Sequence, residues 1–105
     1  MSRETVFGIL DVTVAAQREW REVPVADRAA LLLELAAVLR RGVRGHAELM
    51  VREMGKPITE ALGEVEKCAW LCEVYAERTA AWLAEETVEA DGLKHRVVYQ
   101  PLGVV

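Results

Sequence analysis

The stretch Glu53-Met54-Gly55-Lys56-Pro57-Ile58-Thr59-Glu60-Ala61-Leu62-Gly63-Glu64-Val65-Glu66-Lys67-Cys68-Ala69-Trp70-Leu71-Cys72 holds a helix stop, a helix start and the opening of the longest apolar period in the chain. Gly55 supplies the left-handed residue that ends a helix. Pro57 suits the first position of the next one, where an N–H has no partner to lose. From Pro57 the spacing predicts a helix to about Glu86, with Ile58, Ala61, Val65, Cys68, Ala69, Cys72, Ala76 and Leu83 on one stripe. Trp70, Leu71, Val74 and Trp82 lie partly off that stripe, so the helix is apolar over more than one face. Such a helix belongs between other elements. A chain of 105 residues offers few elements to cover it, which points to a body beyond these residues.

Upstream, a helix is expected from about Arg44 to Met54, with Ala47, Met50 and Met54 sharing a face that Leu49 widens. Before it, Ala26 to Arg41 carries Leu31, Leu32, Leu35, Val38 and Leu39 as its stripe. Asp27 in the first turn and Arg40-Arg41 in the last match the helix dipole, and Gly42 marks the stop. A first helix is read from about Val6 to Trp20, where Val12, Ala15, Ala16 and Trp20 align; Gly8 and Thr13 weaken its early part. Downstream of Glu86 the period changes. Asp91-Gly92 is a hairpin signal, and Leu93 to Gln100 alternates, Leu93, His95, Val97 and Tyr99 against Lys94, Arg96, Val98 and Gln100. Pro101 ends that strand, and Leu102 to Val105 forms a second apolar stretch. The fold class is therefore mostly α with a β-hairpin and strands at the carboxyl end, divided as 1–87 and 88–105.

Composition excludes several function classes. The chain is 52% hydrophobic and 29% charged, which is globular rather than disordered. A net charge of -4, with 13 scattered Lys and Arg, leaves no basic footprint for nucleic acid or anionic lipid. No apolar run approaches the roughly 20 residues that cross a bilayer, and the start Met1-Ser2-Arg3-Glu4 is followed by no signal-like core. A soluble cytoplasmic protein is the expectation.

Catalytic constellations are nearly absent. The sequence holds no GxGxxG, GxSxG, P-loop or HExxH pattern. His46 and His95 are far apart and read as surface or partly buried residues. Cys68 and Cys72, one turn apart, could form a redox pair or half a metal site; small apolar residues packed in a core is the preferred reading. Glu60, Glu64 and Glu66 with Lys67 read as a solvated face with local Glu–Lys pairing rather than an acid–base site. Trp20, Trp70 and Trp82 read as core or interface residues rather than a ligand box.

Taken together, these segments resemble the opening of the aldehyde dehydrogenase superfamily. The resemblance is carried by Trp20 followed by Pro24, Asp27-Arg28 and a Leu/Ala-rich helix, by Glu53-Met54-Gly55-Lys56-Pro57-Ile58, and by Glu60-Ala61, Glu64-Val65 and Tyr75-Ala76. It closes on Tyr99-Gln100-Pro101-Leu102-Gly103-Val104-Val105. Order and spacing agree from about Val12 to Val105, while Met1 to Leu10 fit poorly. Within the superfamily, Glu64 to Trp70 is similar to bacterial succinate-semialdehyde dehydrogenases.

The resemblance implies a reaction for the whole enzyme: a cysteine thiolate attacks the aldehyde, the thiohemiacetal passes hydride to NAD or NADP, and water activated by a glutamate releases the acid. It assigns no catalytic, cofactor-binding or metal-ligating residue to this chain, and Cys68 and Cys72 do not match the family's nucleophile. The family is several times longer, so the resemblance implies an amino-terminal piece of an α/β (Rossmann-like) fold, with 1–87 the helical part of the cofactor domain and 88–105 strands leading to the oligomerisation sheet and the first nucleotide-fold strand, inactive and cofactor-free by itself. Its partners are then the rest of such a chain and, through the small oligomerisation sheet that Arg96, Val97, Val98, Tyr99 and Gln100 are expected to join, further copies of the enzyme. The resemblance also places Glu64 near a monovalent-cation position of some members, beside the alternative of a surface salt bridge. A self-standing helical interaction module is the competing reading of the same exposed Leu and Trp residues.

Overall fold

The computed structural model describes residues 2–105. Four helices, α1 (Arg3–Trp20), α2 (Val25–Arg41), α3 (Val43–Met54) and α4 (Ile58–Trp82), precede two strands, β1 (Glu86–Ala90) and β2 (Leu93–Val97). Residues 25–82 pack into one compact unit, and the two ends of the chain fall outside it.

Within that unit α4 is the spine. Ala61, Val65 and Ala69, spaced four apart, are buried, as are Ala36 of α2 and Ala47 of α3. Four of these five side chains are Ala, small enough to let helix backbones approach closely. Leu39, Val43, Met50, Val51 and Leu62 pack around Ala47, Ala61 and Val65. Leu39 of α2 thus sits near Val65, while Leu32, two turns earlier, shares a groove with Leu71, Cys72 and Tyr75. The two helices therefore run antiparallel.

The helix ends follow local chemistry. α1 begins at Arg3 rather than Val6, because Ser2 caps it by accepting from the Thr5 N–H at 3.2 Å. The weak residues do not delay it: the Thr13 hydroxyl donates to the Ile9 carbonyl at 2.7 Å. α2 and α3 each start one residue earlier than their spacing suggests. Gly55 ends α3 in the left-handed region (φ 67°), its N–H donating to the Val51 carbonyl at 3.0 Å. Pro57 stands just outside α4 rather than in it, and its carbonyl accepts from the Ala61 N–H.

α4 stops at Trp82, four residues short of the expected Glu86. Cross-strand pairing takes the difference: Glu86 lies opposite Val97 and Ala90 opposite Leu93 in an antiparallel ladder. Asp91 (φ 54°) and Gly92 (φ 75°) make the turn, both in the left-handed region that a two-residue type I′ hairpin requires. β2 ends at Val97 instead of Gln100, because β1 offers no residue opposite Val98, Tyr99 or Gln100. Leu102 to Val105 forms no regular element.

Candidate functional site

The residues that sequence reasoning singled out do not converge on a reaction centre; the geometry presents surfaces. Arg96 and Val97 lie in β2, whereas Val98, Tyr99 and Gln100 follow it unpaired, and all five are exposed. The sheet has two strands, so both are edges with a row of free backbone donors and acceptors. Ion pairs decorate it, Arg96 with Glu85 at 3.3 Å and Lys94 with Glu89 at 3.4 Å.

The helices carry the second kind of surface. Leu31, Leu35 and Val38, expected on the core stripe of α2, are exposed, and Ala36 takes the buried position instead. Trp20, Trp70 and Trp82 are each about half exposed (48%, 55% and 48%), so no core within the described chain receives them. The Trp82 ring meets Tyr75 edge-on, centroids 5.3 Å apart. Leu32, Leu71, Cys72 and Tyr75 line an open groove between α2 and α4 that is almost wholly apolar.

The cysteines separate. Cys72 is half-buried in that groove, but Cys68 is exposed, against the expectation that both pack in a core. Cys68 stands instead with Gly63, Glu64, Lys67 and Leu71 around an open depression on α4, outside the Ala61–Val65–Ala69 contact. Both are free thiols. No group of three or more His, Cys, Asp or Glu side chains is placed to hold a metal among the described residues. His46 and His95 are exposed.

The charged face of α4 is organised by long-range partners rather than by Lys67. Lys56, in the loop before α4, pairs with Glu64. Arg40 reaches across from the last turn of α2, its Nε donating to Glu66 at 2.7 Å and its Nη2 to Glu73 at 2.8 Å, with Nη1 completing a fork on Glu73. Hydrogen bonding to Arg40 holds the Glu73 carboxyl below the usual carboxylate range, with partial desolvation opposing it. The same bonds push Arg40 up. Sequence reading gave Arg40 to the helix dipole and Glu66 to solvent. The available signal was the seven-residue interval between Glu66 and Glu73, which puts two carboxylates on one helix face.

Comparison with known proteins gives these surfaces a context. The model of the aldehyde dehydrogenase family matches residues 1–105. The chain belongs to the aldehyde dehydrogenase family. It is 38% identical to a probable NADP-dependent succinate-semialdehyde dehydrogenase of Synechocystis, over 99% of this chain and 23% of that protein. It is also 38% identical to the NAD(P)-dependent succinate semialdehyde dehydrogenase Sad of Escherichia coli, over 97% of this chain and 22% of that one. The succinic semialdehyde dehydrogenase of Streptococcus pyogenes, solved with NADP as cofactor, superposes with a TM-score of 0.83 at 31% identity, covering 91% of this chain and 21% of that one. The chain thus spans under a quarter of the length of these relatives, and its helices and hairpin are an amino-terminal piece of the aldehyde dehydrogenase fold. No helix among the described residues is long and apolar enough to cross a membrane.

Proposed function

We propose that this chain supplies the amino-terminal scaffold of a cytoplasmic, NAD(P)-dependent aldehyde dehydrogenase that oxidises succinate semialdehyde to the acid, and that it contributes packing surfaces rather than reacting groups. One observation carries the reading: the whole chain matches the family at under a quarter of its relatives' length, and the helices so matched leave Leu31, Leu35, Val38, Trp70 and Trp82 exposed. Apolar faces of this extent seek a cover. In the complete enzyme the remaining polypeptide covers the helices. The cysteine nucleophile, the glutamate base and the cofactor site belong to that remainder. Arg96 and Val97, paired with β1 on one side, and the unpaired Val98, Tyr99 and Gln100 add a strand to an oligomerisation sheet, where backbone hydrogen bonds would satisfy what β1 leaves open.

Calorimetry of the chain alone with NAD+ and NADP+ is expected to give no binding heat, because the sequence holds no glycine-rich phosphate loop. A measurable affinity would overturn the division of labour proposed here. An enzyme carrying this segment is expected to show its highest kcat/KM with succinate semialdehyde, and a clear preference for another aldehyde would overturn the substrate assignment.

A further inference from the structure

Cys68 and Cys72 are both free thiols, four residues apart on α4, and neither lies in the core. Cys68 opens on the depression lined by Gly63, Glu64, Lys67 and Leu71, and Cys72 on the apolar groove lined by Leu32, Leu71 and Tyr75. Leu71 borders both, so the two openings adjoin along the turn that joins the cysteines. Helix geometry sets what such a pair can hold. Residues four apart carry their Cβ atoms about 5–6 Å from each other. A disulfide needs about 3.5–4.5 Å, so an intact α4 keeps the sulfurs from joining directly. One atom set between them lengthens the link by a bond, about 2.3 Å in the case of zinc and thiolate, and each sulfur swings on a single χ1 rotor. Zinc itself takes four ligands in a closed site, and no group of three or more His, Cys, Asp or Glu side chains stands together among the described residues. The centre that fits is a soft one satisfied by two thiolates.

We propose that Cys68 and Cys72 together bind a trivalent arsenic centre that carries one apolar substituent. The exposed Cys68 thiol engages first and Cys72 closes the ring. Starting from an arsenical oxide, two As–S bonds replace the As=O bond. The two thiol protons leave with that oxygen as one water, and arsenic stays trivalent, so no oxidant or reductant is consumed. The substituent lies in the apolar groove beside Leu32, Leu71 and Tyr75, where its burial adds to the hold of the two thiolates. The second bond forms within one molecule, which is why a pair of thiols outbinds either alone.

The test adds phenylarsine oxide to the full 105-residue chain and reads mass, free thiols and circular dichroism. One phenylarsenic group per chain is expected, with both thiols consumed and the helical signal kept. Dimercaptopropanol should strip it, while mercaptoethanol at equal thiol concentration should not. Cys68→Ser and Cys72→Ser should each weaken binding by roughly hundredfold or more, because the ring cannot close. Cys68 is exposed, so the first of these leaves the packing of α4 in place. A third variant, Cys72→Ser with Trp70→Cys, keeps two thiols but sets them roughly 200° apart round the helix. It should bind as weakly as the single-thiol chains in buffer and recover in urea, where the helix no longer separates the sulfurs. Two phenylarsenic groups per chain, or an affinity untouched by Cys68→Ser, would mean that the thiols act singly and would overturn the proposal. Tight binding by the third variant in buffer would overturn it too, by showing that the helical spacing selects nothing. Loss of the helical signal on binding to the wild-type chain would count the same way, since the site would then belong to the unfolded chain.

Discussion

The unit from Val25 to Trp82 and the terminal elements α1, β1 and β2 are built from similar amphipathic sequence, yet only the first buries anything. Ala36, Ala47, Ala61, Val65 and Ala69 all lie in that unit, whereas α1 and both strands have no buried residue. The difference lies in the partner rather than in the element. α4 runs antiparallel to α2 and also packs against α3, so its small residues find neighbouring helices opposite them. Among the described residues β1 and β2 pair with each other and every residue of both is exposed, and a two-stranded ribbon of that kind is marginal in water. Amphipathic pattern makes an element ready to bury a face; a neighbour inside the chain decides whether it does.

The largest expected effect attacks the buried stripe. Val65→Asp places a carboxylate where Val65 is 2% exposed, and the cost of about 3 kcal/mol or more should abolish the cooperative melt of the helical unit in calorimetry. The matching change Val12→Asp in α1, where Val12 is 70% exposed, should move stability by about 0.5 kcal/mol or less. Equal effects at the two positions would erase the contrast between the regions.

Next in size is self-association. Chain purified alone should run as oligomers or aggregates in light scattering, and replacing Leu31, Leu35 and Val38 by Gln should shift it toward monomer. A monodisperse wild-type monomer would show that the exposed faces need no cover.

The hairpin turn comes third. Gly92→Val forces a β-branched residue into the left-handed region and should cost about 1–2 kcal/mol locally, read as faster amide exchange in β1 and β2 with α2, α3 and α4 unchanged. Faster exchange in the helices as well would mean the two regions fold as one.

The smallest effect concerns Arg40. The folded-state pKa of Glu73 lies below its unfolded value, so the unfolded chain binds more protons through the acid range. Stability from the Arg40 clamp is therefore present above the usual carboxylate range and is lost as pH falls through the lowered Glu73 value. Arg40→Gln should lower the melting temperature modestly at neutral pH, with the difference vanishing in acid and shrinking in high salt. A difference that persists in acid would assign the effect to packing of the Arg40 stem.

Sequence by itself determined the order and type of every element: the Gly55 stop, the Pro57 start and the Asp91–Gly92 turn are local chemistry, set by which backbone angles each residue allows. It also carried the family, because the motifs that make the resemblance are contiguous in the chain. What only the tertiary structure decided was which face of each helix is inside. Periodicity put Leu31, Leu35, Val38 and Cys68 on core stripes, but the antiparallel seating of α2 on α4 chose the narrow Ala36, Ala61, Val65 and Ala69 line, because small side chains let the helices come closest. It likewise decided where α4 and β2 end, through the register Glu86 to Val97, and which carboxylates Arg40 reaches. Pairing across 26 or 33 residues depends on how helices are placed in space, and that placement is not written in the spacing of any one of them.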